Sequence, residues 1–202
     1  MLGTLSLLPL LLSMLKVTRT VALSLTLAPA AWAGDTYVSY YWGKQSPERL
    51  MDILREPPPE FQSSYLNAAT LSRVVASGNH SRLEFEGQLV RHHGLQDHKE
   101  INAVAVARWM SFPWDPWVNS RAAVGSGLSH AMETPNVEPR GEPDEGDSER
   151  TLHYLMVEKS AVIPGTERWS LFSRIHHRSG VFGLFGVEGG SNFVAGGVRY
   201  RF

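Results

Sequence analysis

The chain has 202 residues, a formal net charge of -1 and no cysteine. That length suits one domain behind a processed leader. The balanced charge supplies no cation cluster for nucleic-acid phosphates, and the missing thiols remove disulfides, thiolate zinc sites and cysteine nucleophiles together. A mean hydropathy of -0.18 excludes a multi-helix membrane protein, but not a membrane barrel, where apolar and polar residues alternate and cancel in any average.

Residues 1–33 read as a signal peptide. Lys16 and Arg19 precede the apolar run from Val21 to Ala28, and Ala31-Trp32-Ala33 follows. A basic n-region, a short apolar h-region and an A-x-A cleavage site stand in the expected order. The run is shorter than the roughly 20 residues that a spanning helix needs. Reading the leader from Met14 puts Lys16 and Arg19 where an n-region belongs. The mature domain is expected over 34–202.

Beyond Gly34 the apolar period is two, the signature of strands. It predicts strands near 36–43, 65–76, 82–92, 100–111, 118–131, 151–162, 167–179 and 191–202. Most approach the roughly 9–11 residues of a tilted membrane strand, beyond the five or six typical of soluble sheets. Short turns are read at 77–80, 113–116 and 164–167, and longer connections at 44–64, 93–99, 132–150 and 180–190. The alternation of short and long matches a barrel with periplasmic turns and outside loops. The acidic, proline-rich 132–150 segment reads as a solvated loop. In the last strand Val194, Gly196, Val198, Tyr200 and Phe202 alternate with Ala195, Gly197, Arg199 and Arg201. An aromatic final residue resembles the signal through which the barrel-assembly machinery recognises its clients.

The fold class expected is therefore all-β: an eight-stranded antiparallel transmembrane β-barrel of the bacterial outer membrane. A soluble lipocalin-like barrel would turn the apolar set inward instead. Strand length, Phe202 and the aromatics placed for membrane girdles (Tyr37, Tyr40, Tyr41, Trp42, Trp109, Trp114, Trp117 and Trp169) favour the membrane. The opposite faces carry Glu84, Glu86, Gln88, Arg108, Arg121, Glu158 or Lys159, Arg174, His176, Arg178, Arg199 and Arg201. In so narrow a barrel these charges are expected to pair and fill the interior, which argues against a general porin.

One constellation carries chemistry. The seventh strand ends Ile175-His176-His177-Arg178-Ser179-Gly180, and alternation puts His177 and Ser179 on its apolar, lipid-facing side at the outer end. An imidazole that takes a serine proton makes a nucleophile, and a carboxylate can orient the imidazole. Glu188 follows in the last outside loop. Ser179 as nucleophile, His177 as base and Glu188 as acid would cleave an ester without metal or cofactor. His92, His93, Asp97 and His98 cluster near the second outside loop; two histidines and an aspartate could bind a metal, but solvated loop residues are the commoner reading.

An eight-stranded outer-membrane barrel with His-x-Ser closing its seventh strand, and a Glu beyond it, resembles the lipid A 3-O-deacylase (PagL) family. The resemblance implies hydrolysis of the ester-linked acyl chain at the 3 position of lipid A, by a Ser-His-Glu triad on the barrel's outer surface. It implies lipid A, or lipopolysaccharide, of the outer leaflet as partner. Two features depart from the family: Gly180 stands where its Asn follows the serine, and Glu188 lies closer to Ser179 than its Glu does. The oxyanion donor is thus open between Gly180, the amides of Gly189 and Gly190, and Asn192. The alternative from another class is a non-catalytic barrel that stiffens the membrane or presents its loops.

Overall fold

A computed structural model describes residues 35–135, 148–187 and 189–202. The expected leader, Glu188 and most of the acidic 132–150 loop lie outside them. The described residues form eight strands: β1 (Thr36–Ser46), β2 (Ser64–Ser77), β3 (Ser81–Gly94), β4 (Lys99–Trp109), β5 (Ser120–Ala131), β6 (Thr151–Val162), β7 (Trp169–Ser179) and β8 (Gly190–Arg201). Each pairs antiparallel with the next, and β1 pairs with β8 to close the barrel. All eight lie where period two predicts them, with ends differing by three residues or fewer.

Burial then settles which face is inside. Along β3 the inward set is Glu84, Glu86, Gln88, Val90 and His92, while Leu83, Phe85 and Leu89 stand exposed outside. Along β7 Phe172, Arg174, His176 and Arg178 point in, and Trp169 and Leu171 point out. Charge inside and apolar side chains outside invert the polarity of a soluble barrel. A surface bearing Val38, Leu71, Phe85, Leu89, Val124, Leu128 and Leu171 is stable only against hydrocarbon. The chain is a bacterial outer-membrane barrel, with the start of β1 and the end of β8 side by side at one end of it.

The interior is tied by an ion lattice. Glu158 sits between three guanidinium groups, accepting from Arg108 Nη1 at 2.6 Å, Arg174 Nη2 at 2.6 Å and Arg199 Nη1 at 2.8 Å. Arg108 also donates from Nε to Glu84 at 2.7 Å, and Arg174 from Nη1 to Glu86 at 2.7 Å. Above this layer Gln88 donates to Glu86 (2.8 Å) and accepts from Asn102 (2.9 Å). Lys159 points outward and Glu158 inward, which resolves the pair left open above. Below the lattice a vestibule of about 280 Å³ opens at the periplasmic end, edged by Arg82, Arg121 and Arg201.

Several expectations need correcting. Short and long connections do not alternate: the periplasmic 110–119 connection is long and the outside 95–98 connection is short. The long periplasmic one is held by Asp115, which accepts the Phe112 and Ser120 amides at 2.8 and 3.0 Å. The short outside one follows because β3 and β4 stay paired to Arg91↔Lys99, and the His92 amide reaches the His98 carbonyl beyond that pair. The first outside loop carries a short helix, α1 (Leu50–Arg55), too brief to leave an apolar period; of its side chains, only Ile53 is buried. Tyr41 is not a girdle residue: it is fully buried, with its ring edge-on to Phe172. Tyr37 shares that inward face of β1. Finally, His92 and His98 are not solvated but buried inside the barrel's outer end, whereas His93 and Asp97 are exposed. Burial, helped by neighbouring His92, pushes His98 down to about 3, so it is neutral at physiological pH.

Candidate active site on the outer face

Strand alternation delivers His177 and Ser179 to the outer face of β7, both half-buried, as the sequence implies. What the sequence does not show is the register of the neighbouring strands. β7 pairs with β8 so that His177 lies directly opposite Asn192, and with β6 so that Ser179 lies opposite His153. The registers therefore set residues of three strands, β6, β7 and β8, side by side here.

His177 Nδ1 lies 2.5 Å from Asn192 Oδ1, and Asn192 Nδ2 donates to the Glu48 carbonyl at 2.7 Å. The second contact fixes the first. A carbonyl only accepts, so the amide NH2 faces Glu48 and the amide oxygen faces the imidazole. Nδ1 must then carry a ring proton, so in the neutral imidazole the lone pair is on Nε2. Asn192 is on the outward side of β8 yet only 2% exposed, because the start of the first outside loop covers it. An amide orienting an imidazole is the arrangement of Cys-His-Asn enzymes.

Ser179 Oγ accepts the Val181 amide at 3.1 Å, which leaves its own proton free to donate. Among the described residues no hydrogen bond joins Ser179 to an imidazole. Val181 and Phe182 follow with φ of 50° and 54°. A β-branched residue in the left-handed region is strained, and such strain collects at functional sites. The turn also throws Phe182 and Leu184 outward, 98% and 77% exposed. Two bare apolar side chains beside Ser179 belong in lipid, not water.

Of the oxyanion candidates, Gly180 and Asn192 are engaged. The Gly180 amide donates to the Gly189 carbonyl at 3.0 Å, and Asn192 holds His177 and Glu48 as described. Gly180 has a packing reason to be glycine: a Cβ there would lie 1.6 Å from the Val187 carbonyl oxygen. Glu188 lies outside the described residues. One neighbouring pair escaped the sequence reading. His153 Nε2 lies 2.9 Å from Ser126 Oγ, both on the outward faces of β6 and β5. Ser126 and His153 are far apart in the chain, and only the hairpin register, with Ser126 opposite Leu155, joins them. Nothing local in the sequence marks them as partners.

Fold and site together define an outer-membrane β-barrel with a Ser/His/Asn cluster on its lipid face. No protein-family model and no curated protein matches the sequence. Solved structures similar to it include the N-terminal β-barrel domain of Pseudomonas aeruginosa OprF, at 12% identity and TM-score 0.47 over 84% of this chain and 99% of that one. Neisserial surface protein A (NspA) is similar at 15% identity and TM-score 0.48, over 83% and 97%. The outer-membrane protein OprG of Pseudomonas aeruginosa follows at 11% and 0.42, over 84% and 96%. The class stated above rests on the chain's own closed sheet and inverted polarity.

Proposed function

We propose that this barrel is an outer-leaflet esterase that removes an ester-linked acyl chain from lipid A. Ser179 is the nucleophile and His177 the general base. The observation that carries the reading is the His177–Asn192–Glu48 chain of hydrogen bonds. It supports the reading because it holds His177 Nδ1 on the Asn192 amide oxygen, two residues from Ser179 on the outward side of β7. Asn192 holds the ring at Nδ1, the place that the sequence reading gives to Glu188. The Ser179 proton passes to His177 Nε2 as Oγ attacks the ester carbonyl, and the imidazolium then protonates the departing lipid A hydroxyl. Water, activated by the same imidazole, releases the fatty acid and restores the serine. Phe202, 69% exposed at the end of the chain, is the residue we assign to recognition by the barrel-assembly machinery.

The test is the mass of lipid A from cells that express the chain. Loss of one hydroxyacyl mass is expected, with Ser179→Ala abolishing it and His177→Ala lowering the rate by about 10²-fold or more. Comparing Asn192→Ala with Glu188→Gln shows which of the two supports the ring. Activity that survives Ser179→Ala but disappears in Ser126→Ala would move the nucleophile to the Ser126–His153 pair. A second reading, a non-catalytic barrel, draws on the commitment of Ser179 Oγ to the Val181 amide. It requires unchanged lipid A in a fully assembled wild type.

A further inference from the structure

Inside the barrel's outer end, apart from the serine site, lies a cluster of histidines around one carboxylate. His92 comes from β3, His98 from the 95–98 connection, Glu100 from β4 and His176 from β7. All four are at most 2% exposed. The hairpin spacing is what gathers the first three. The short 95–98 connection and the pairing of the His92 amide with the His98 carbonyl put two imidazoles on the inward face, and Glu100 is two residues further along that face. The His92 and His98 rings stack with centroids 4.1 Å apart.

The polar atoms of this cluster are under-satisfied. His92 Nε2 lies 2.9 Å from Glu100 Oε2, but His92 Nδ1 and His98 Nε2 are buried without a hydrogen-bond partner. His176 Nε2 lies 3.1 Å from Glu100 Oε1, yet neither atom has the alignment of a hydrogen bond. His176 Nδ1 lies 3.0 Å from the Tyr41 hydroxyl and 3.4 Å from the Tyr154 hydroxyl; with Nδ1 accepting, Nε2–H faces the carboxylate, and with Nδ1 donating, the Nε2 lone pair is the one a ligand would take. Most buried polar atoms in folded proteins are paired, so four orphans in one cluster need an account.

We propose that His92, His98 and Glu100 hold a divalent transition metal of the zinc class, with His176 Nε2 as the fourth donor. One donor atom from each of the first three already lies within 4.8 Å of the others. Bond lengths of about 2.0–2.1 Å put tetrahedral donors roughly 3.3 Å apart, so binding draws the set together by about 1.5 Å. His98, in the connection rather than in a strand, is the side chain best placed to move. Two or three imidazoles with one carboxylate suit zinc, cobalt or nickel and disfavour calcium and magnesium, which prefer oxygen. Arg178 is the competing cation, with Nε 3.7 Å from Glu100 Oε2. Its guanidinium also donates to Ser129 Oγ at 2.9 Å and the Arg150 carbonyl at 3.0 Å, contacts that keep it in place when Glu100 turns to the metal. The ion would tie the β3–β4 hairpin to β7, the strand that carries His177 and Ser179.

The experiment uses the untagged chain, purified from outer membranes in detergent and stripped with EDTA, then titrated with Zn²⁺ by calorimetry. One equivalent should bind. His98→Ala and Glu100→Gln should each weaken binding at least tenfold, while His93→Ala, which alters the exposed neighbour of His92, should leave it unchanged. Assembly of each variant is checked by its heat-modifiable mobility. A measurement on the wild type alone covers the case where a variant fails to assemble: Co²⁺ should give an intense tetrahedral d–d band. The proposal is overturned by a hexaaquo-like Co²⁺ spectrum, by the absence of stoichiometric Zn²⁺ binding, or by binding that survives His98→Ala. It is equally overturned if His93→Ala weakens binding as much as His98→Ala, which would place the ion on the exposed loop. Water alone among the orphaned atoms would produce the first two of these results.

Discussion

Glu158→Gln isolates the charge at the centre of the ion lattice. The shape is nearly unchanged, but one anion is removed from a set of three, Glu84, Glu86 and Glu158, that faces three cations, Arg108, Arg174 and Arg199. The carboxylate accepts from all three guanidinium groups, and the glutamine NH2 would point donors at donors. All six side chains are 5% exposed or less, so water cannot replace what is lost. Removing one partner of such a buried network costs about 3–5 kcal/mol. The assay is equilibrium urea unfolding in lipid vesicles, read by tryptophan fluorescence. Arg199→Gln combined with Glu158→Gln restores a two-to-two balance, so the double variant should be more stable than the summed single effects by about 1–3 kcal/mol. A single-variant cost below about 1 kcal/mol, or strict additivity of the pair, refutes the claim that this lattice stabilises the barrel through its charge balance.

Other outcomes follow from single contacts. Hydrogen bonds from the Phe112 and Ser120 amides hold Asp115 below its ordinary value of 3.8. Its contribution to the 110–119 turn is therefore complete above about pH 4 and is lost as pH falls through the lower folded value. Amide-exchange protection of Phe112 and Ser120 should show this loss, and Asp115→Ala should lack protection at every pH. Gly180→Ala puts a methyl group 1.6 Å from the Val187 carbonyl; it should displace the 180–187 turn, leave the barrel assembled, and abolish ester hydrolysis in the lipid A mass assay. Phe182→Ser with Leu184→Ser should keep the fold but lower turnover of membrane-embedded substrate several-fold, measured against a detergent-dispersed ester. Phe202→Ser should reduce the assembled fraction in the outer membrane without reducing synthesis, as judged by heat-modifiable mobility.

The barrel was legible because a period of two survives in every strand, from Val38 and Tyr40 on β1 to Val198 and Tyr200 on β8. The sign of that alternation was harder to read, since a soluble barrel shares it; long strands, Phe202 and the girdle aromatics decided it. Connection lengths were misjudged where side chains act at short range, as Asp115 does in closing a long periplasmic turn. Tyr41 misled because three aromatics in a row, Tyr40, Tyr41 and Trp42, cannot all face lipid on an alternating strand. His177 and Ser179 could be placed from one strand alone. The part played by Asn192, the proximity of His153 and the meeting of His176 with Glu100 depend on register between strands, which no local pattern encodes.

The ion lattice also constrains how the barrel can be made. Arg174 of β7 meets Glu86 of β3, and Arg199 of β8 meets Glu158 of β6 while reaching Ser39 of β1. The first of these links joins opposite walls, and the reach to Ser39 crosses the seam where the last strand meets the first. Before closure they do not exist. A partly curled sheet entering the bilayer would carry unpaired arginines and glutamates with unsatisfied strand edges into hydrocarbon, at a cost of several kcal/mol for each group. Insertion and closure of this chain must therefore be a single event, in which the charges leave water only as they find one another.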